Sequence, residues 1–130
     1  MAYNVLIVDD SSVARMVIGK TMLLSNQNIG DIHYATNGKE ALDIIKDNWI
    51  DIVFADINMP IMNGIELINE MSADSLMNSI PVIVVSTEGS STRIEELKAK
   101  GIKGYIRKPF TPEEISEILK KTLGGGENEN

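Results

Sequence analysis

Hydrophobic residues fall along this chain in two alternating patterns. Short runs rich in β-branched side chains stand at VLIV (Val5 to Val8), IVFA (Ile52 to Ala55) and VIVV (Val82 to Val85). A shorter run lies at Tyr105 and Ile106, and a weaker one, IHYA, covers Ile32 to Ala35. The first three are continuous rather than alternating, as central strands of a parallel sheet are when both faces are covered. Between the runs, apolar positions recur at helical spacing. They predict helices over Val13 to Leu24, from Asn37 onward, over Ile65 to Met71, over Thr92 to Lys100 and from Thr111 onward. Asn37 with Glu40 reads as a capping box ahead of Ala41, Leu42 and Ile45. Thr111, Pro112 and Glu114 form a stronger start signal: a cap residue, a proline at the first helical position, and a glutamate three after the cap. Gly101 and Gly124 are placed to stop the last two helices.

Strand and helix therefore alternate five times. This order predicts an α/β fold, a parallel sheet with helices on both faces reached by right-handed crossovers. One domain over residues 1–123 takes in the whole pattern, and GGGENEN, residues 124–130, reads as a flexible tail.

Composition narrows the chemistry. The 130 residues are 43% hydrophobic, enough for one domain with a real core. There are no cysteines, which removes disulfides, thiol nucleophiles and cysteine-based zinc sites. A formal net charge of -7 disfavours direct contact with nucleic acid, whose phosphates need a basic surface. The opening MAYNVLIVDD holds a four-residue apolar run, too short for a signal peptide or a membrane span. The expectation is a soluble, cytoplasmic, monomeric domain with no membrane contact.

Polar residues fall where these strands end. Asp9 and Asp10 follow the first, Asp56 and Asn58 the third, Ser86 and Thr87 the fourth, and Lys108 with Pro109 the fifth. In a parallel sheet those ends share one edge, the edge at which open α/β sheets bind ligands. Taken singly, each has a plain reading: Asp10 as a helix cap, Ser86 as a turn residue, Lys108 as a solvated surface lysine. Their joint occurrence points to a site. Two carboxylates about 4 Å apart repel by about 4 kcal/mol at an effective dielectric near 20, and a single lysine does not balance three acids. Either an acid is protonated or a divalent cation is present. An all-oxygen donor set calls for a hard ion, Mg²⁺, with Mn²⁺ or Ca²⁺ as substitutes. A carboxylate, a cation, an ammonium and a hydroxyl are the parts of a phosphoryl-transfer site with Asp56 as nucleophile. DDSSVA contains no glycine and so no phosphate-binding loop, which means another molecule must bring the phosphoryl group.

The elements LIVDDS, ATNGKEAL, DINMPIMNG, PVIVVST and GYIRKPFTPEEI, in this order over about Val5 to Leu123, resemble the receiver domain of two-component response regulators. With no output domain in 130 residues, the resemblance is to stand-alone, chemotaxis-type receivers. It implies a (βα)5 flavodoxin-like fold with strand order 2-1-3-4-5. It also implies that Asp56 accepts a phosphoryl group from a sensor histidine kinase. Asp10, Asp56 and the Asn58 main-chain carbonyl would ligate Mg²⁺, with Asp9 acting mainly through metal-bound water. Ser86 would be the switch hydroxyl, Tyr105 the aromatic that follows it, and Lys108 the phosphoryl partner, joined to Pro109 by a cis peptide. Gly64 would serve the turn into the third helix, while Asn58 and Glu88 would tune phosphate lifetime. Partners implied are the kinase, a phosphatase, and a target protein bound on the fourth helix, fifth strand and fifth helix, where Lys98, Lys100, Lys103, Arg107, Lys120 and Lys121 gather. The protein would be a regulatory switch that catalyses only its own phosphorylation and dephosphorylation.

Three alternatives compete. A haloacid dehalogenase-like phosphatase uses similar groups, but its Asp-x-Asp follows the first strand, whereas Asp56-x-Asn58 follows the third here. A receiver-like module could work without phosphate. The chain could also be a fragment of a larger regulator with an output domain. Away from the site, His33 reads as a surface residue, and Met59, Met62, Met71 and Met77 as packing or loop residues. Trp49 is expected at the end of the third strand far from Asp56.

Overall fold

The computed structural model describes residues 2–25, 27–87 and 90–123. Its elements run β1 (Tyr3–Val8), α1 (Ser12–Leu24), β2 (Ile29–Ala35), α2 (Gly38–Asp47), β3 (Ile52–Ala55), α3 (Gly64–Ser72), β4 (Val82–Ser86), α4 (Ser91–Ala99), β5 (Gly104–Arg107) and α5 (Pro112–Thr122). Every strand pairing is parallel, and the sheet order is β2-β1-β3-β4-β5. The expected α/β fold and strand order are both present.

The continuous apolar runs sort themselves by strand period. Successive side chains point to opposite faces, so Leu6, Val8, Val53, Ala55 and Val84 pack on one side with Ala41, Ile45, Leu67, Ile68, Met71 and Leu97 of α2, α3 and α4. Val5, Ile7, Ile52, Phe54, Ile83 and Val85 pack on the other with Ile18, Met22, Ile115 and Leu119 of α1 and α5. Each fully buried side chain of this size contributes about 1.5–3 kcal/mol, and β3 buries all four of its residues. That is why a run without polar alternation is stable only in the middle of the sheet.

Helix ends follow local chemistry. Ser11 caps α1, its side chain accepting from the Ala14 N–H, so Asp10 is not a cap. Asn37 caps α2 as expected, but the reciprocal arm differs: the Glu40 carboxylate accepts from the Thr36 N–H, one residue before the cap. Full capping boxes occur at α5, with Thr111 and Glu114, and at α3, with Asn63 and Glu66. Gly101 ends α4 at a φ of 98°, a left-handed conformation that favours glycine. Gly124 lies outside the described residues.

β2 begins earlier than its apolar residues suggest, at Ile29, and His33 sits in its middle, half-buried and paired in register with Leu6. Met71 and Met77 are buried, and Met59 and Met62 pack against the core. Trp49 is exposed, its indole N–H donating to Asp51 just before β3 begins. Among the described residues, no helix is long and apolar enough to cross a membrane.

Candidate functional site

Parallel pairing brings the C-terminal ends of β1, β3, β4 and β5 to one edge. Val8 pairs with Ala55, so the residues that follow them, Asp9 and Asp56, emerge side by side. The Asp56 N–H donates to the Val8 carbonyl at 2.9 Å, and the Asp9 N–H donates to the Ala35 carbonyl at 3.0 Å. Both acids therefore leave the sheet with their backbones still in the ladder. Carboxylate oxygens of Asp9, Asp10 and Asp56 lie within 4.8 Å of one another. The three acids share this spot but not their exposure: Asp9 is buried, Asp56 half-buried and Asp10 exposed.

Lys108 joins them from the far side. Its Nζ donates to Asp9 Oδ2 at 3.0 Å and stands 3.6 Å from Asp56 Oδ2. Its main-chain N–H donates to the Ser86 carbonyl at 2.9 Å, tying the end of β5 to the end of β4. Ser86 is the last residue of β4 rather than the first beyond it, and it is 1% exposed. It does not cap α4; Ser90 does. The Lys108–Pro109 peptide is cis, as expected.

The remaining candidates lie around this centre. Asn58 is exposed in the loop after Asp56, and Tyr105 is half-buried on β5, in register with Val84 and packed against the core. Glu88 falls outside the described residues. Gly64 is the first residue of α3, and its N–H donates to the Ile57 carbonyl at 2.8 Å. A Cβ on Gly64 would collide with the Asp56 carbonyl oxygen and stand 2.9 Å from Ile57 Cα. The need for glycine there is space beneath Asp56, not an unusual turn conformation.

One residue that no motif marks also belongs here. Arg15 reaches back from α1, its Nη1 donating to the Asp9 main-chain carbonyl at 2.7 Å. Nothing in the sequence pattern flags it, because its partner is a main-chain atom.

Electrostatics divides the groups. Burial pushes the Asp56 carboxyl above its ordinary value; the Lys108 charge and the Ile57 N–H pull the other way, and the Asp9 charge adds to the rise. For Lys108, burial acts to lower the value. The hydrogen bond to Asp9 and the charges of Asp56 and Asp9 outweigh it and hold the ammonium above its usual range. A carboxyl raised in the fold disfavours the folded state once it ionises. The penalty is absent below the unfolded value, near 3.8, and grows as pH rises through the folded one. Asp56→Asn is therefore expected to raise the Tm of metal-free protein at pH 7, with the gain shrinking toward zero below about pH 4. Thermal melts in EDTA across that range check it, and a Tm lowered at pH 7 would contradict it.

This constellation has relatives. The family described as "Response regulator receiver domain" matches residues 5–120. The chain belongs to the response regulator receiver family. Among curated relatives, a chemotaxis protein CheY homolog of Campylobacter jejuni is 37% identical over 127 residues, covering 97% of this chain and 96% of that protein. Chemotaxis protein CheY1 of Helicobacter pylori is 37% identical over 122 residues, covering 93% and 97%. Among solved structures, the chemotaxis response regulator CheY4 of Vibrio cholerae superposes with a TM-score of 0.84 at 31% identity, covering 95% of this chain and 100% of that one. This receiver is thus of the CheY type, a regulatory domain of two-component signalling rather than a conventional enzyme.

Proposed function

We propose that this receiver is a phosphorylation switch of a chemotaxis-type phosphorelay, with Asp56 as the phosphoacceptor. The observation that carries the reading is the Lys108 ammonium held between Asp9 and Asp56, at 3.0 and 3.6 Å, beside a third carboxylate at the C-terminal edge of the sheet. The donor set fits a hard divalent cation: three carboxylates close enough to share one small ion, with no nitrogen or sulfur ligand among the grouped residues. Asp10, Asp56 and the Asn58 carbonyl would hold Mg²⁺, with Asp9 behind them. When bound, the ion supplies charge that offsets the phosphoryl oxygens.

The transfer itself belongs to the chain's own residues. An Asp56 carboxylate oxygen attacks the phosphorus, the bond from phosphorus to the donor's imidazole nitrogen breaks, and the imidazole keeps that electron pair and takes up a proton from solvent. An acyl phosphate remains on Asp56. Lys108 exchanges its carboxylate contacts for a phosphoryl oxygen, and the Ser86 hydroxyl donates to another. Phosphorylation adds close to two negative charges. Because the Lys108 N–H is bonded to the Ser86 carbonyl, these two residues respond together, and Tyr105 on the same strand pair carries the change outward.

Two surfaces suit the partners. On α1, Val13, Met16 and Val17 are exposed, and Val13 and Val17 line a groove with Lys108 and Pro109, an apolar face for the helix that brings the phosphohistidine of a sensor kinase. Along α4, β5 and α5, the exposed Lys98, Lys100, Lys103, Arg107, Lys120 and Lys121 suit an acidic segment of a target protein. The reading takes the exchange to be cytoplasmic, where ATP is at hand to charge such a donor. Asn58 and Glu88 are assigned to lifetime tuning, and Mn²⁺ or Ca²⁺ would substitute at the metal position.

Incubation with acetyl phosphate and Mg²⁺ tests the reading. A single phosphoryl adduct per chain, lost when EDTA is added first, is the expected result. Steady multiple turnover of a phosphate monoester would instead favour a phosphatase.

A further inference from the structure

Asp9 and Asp10 are consecutive, so one peptide unit joins the two acids, and its carbonyl belongs to Asp9. That carbonyl accepts the hydrogen bond from Arg15 Nη1 at 2.7 Å. The Asp9 carboxylate is separately held, by the Ser11 N–H at 3.0 Å and Lys108 Nζ at 3.0 Å. Asp10 is exposed. Its aim therefore depends on the plane of the peptide that precedes it, and the guanidinium holds the carbonyl end of that peptide. Hydrogen bonds from Thr36 hold the Glu40 carboxyl below the usual range, and the Arg15 charge adds slightly to them. Arg15 thus ties α1 to the end of β1.

We propose that Arg15 is a positioning residue for divalent-cation binding, orienting the Asp9–Asp10 peptide so that Asp10 faces Asp56. The proposal rests on the reading of Asp10 and Asp56 as metal ligands. It has a sign that separates it from simple electrostatics. Arg15 is a cation beside a cation site, so by charge alone its removal would strengthen Mg²⁺ binding. By positioning, removal weakens it, because residues that orient metal ligands typically matter by 10–100-fold in affinity.

The test is calorimetric titration of Mg²⁺ into the wild type, Arg15→Met and Arg15→Lys. Methionine keeps the long apolar stem and comparable helix propensity but has no donor; lysine keeps one donor and the charge. Mg²⁺ binding is expected to weaken roughly tenfold in Arg15→Met and to recover in part in Arg15→Lys, with metal-free melting temperatures close to wild type. Unchanged or tighter binding in Arg15→Met overturns the proposal, as does an equal loss in both variants. A wild type that binds no Mg²⁺ overturns the reading of the acids as metal ligands, and the proposal with it. If Arg15→Met does not fold, Arg15→Lys decides alone: affinity equal to wild type or tighter overturns the proposal, and a several-fold loss supports it.

Discussion

Replacing Lys108 by methionine is expected to slow phosphorylation of Asp56 by about 10²–10³, the scale on which loss of one charge-stabilising donor acts at a reacting centre. The geometry explains why nothing substitutes for it. Among the described residues, Lys108 is the only cation in contact with the Asp9 and Asp56 side chains, at 3.0 and 3.6 Å. The same change leaves the Asp9 carboxylate, buried at 1% exposure, without its counter-ion. Breaking a buried pair from one side destabilises by roughly 3 kcal/mol, so the metal-free variant should melt well below the wild type. Mg²⁺ should bind it at least as tightly, since a competing positive charge is gone. Acetyl phosphate labelling rates, a melt in EDTA and a Mg²⁺ titration read the three effects separately. A labelling rate within tenfold of wild type would mean that Lys108 does not serve the phosphoryl group.

The second large effect is expected at Gly64, which takes no part in the chemistry. An alanine there places a methyl group against the Asp56 carbonyl oxygen and 2.9 Å from Ile57 Cα. Both neighbours are backbone atoms, and neither yields easily. The Asp56 N–H is bonded to Val8, and the Ile57 carbonyl accepts from Gly64 itself. Overpacking of this kind destabilises by about 1–3 kcal/mol or more, which lowers Tm by roughly 10 °C for a domain of this size. The strand end must shift, and displacing a reacting group by about 1 Å can slow a reaction about 10²-fold. Gly64→Ala should therefore lower both Tm and the labelling rate, while a Tm within a degree of wild type would show that the loop relaxes freely.

How much of this was legible beforehand follows from where each signal lives. β1, β3 and β4 were plain in the chain because strands buried on both faces admit no polar residue. β2 was read short: Gly30 and Asp31 look like a turn, yet they lie on an edge strand where Asn4 Oδ1 accepts the Asp31 N–H. The Asn63–Glu66 capping box hides inside a stretch read for its turn, and the Glu40 arm misses its expected partner by one residue. For the site, the convergence of Asp9, Asp10, Asp56 and Lys108 followed from strand direction alone. Their pairing did not, because which acid takes the lysine depends on angstroms that spacing does not encode. Arg15 was invisible for a different reason: main-chain acceptors leave no trace in residue identity.

The alternatives separate on the same groups. A haloacid dehalogenase-like enzyme needs its nucleophile after the first strand; here Asp9, which follows β1, is buried and paired with Lys108, and the half-buried acid beside that lysine is Asp56, after β3. A phosphate-independent module gives no reason for three acids and an ammonium to be gathered at one sheet edge.

The most direct measurement is intact mass after incubation with acetyl phosphate and Mg²⁺, for wild type and Asp56→Asn side by side. The wild type should gain one phosphoryl group and Asp56→Asn none, although asparagine keeps the shape of the side chain. An equal adduct on Asp56→Asn would place the modification elsewhere and contradict the central claim.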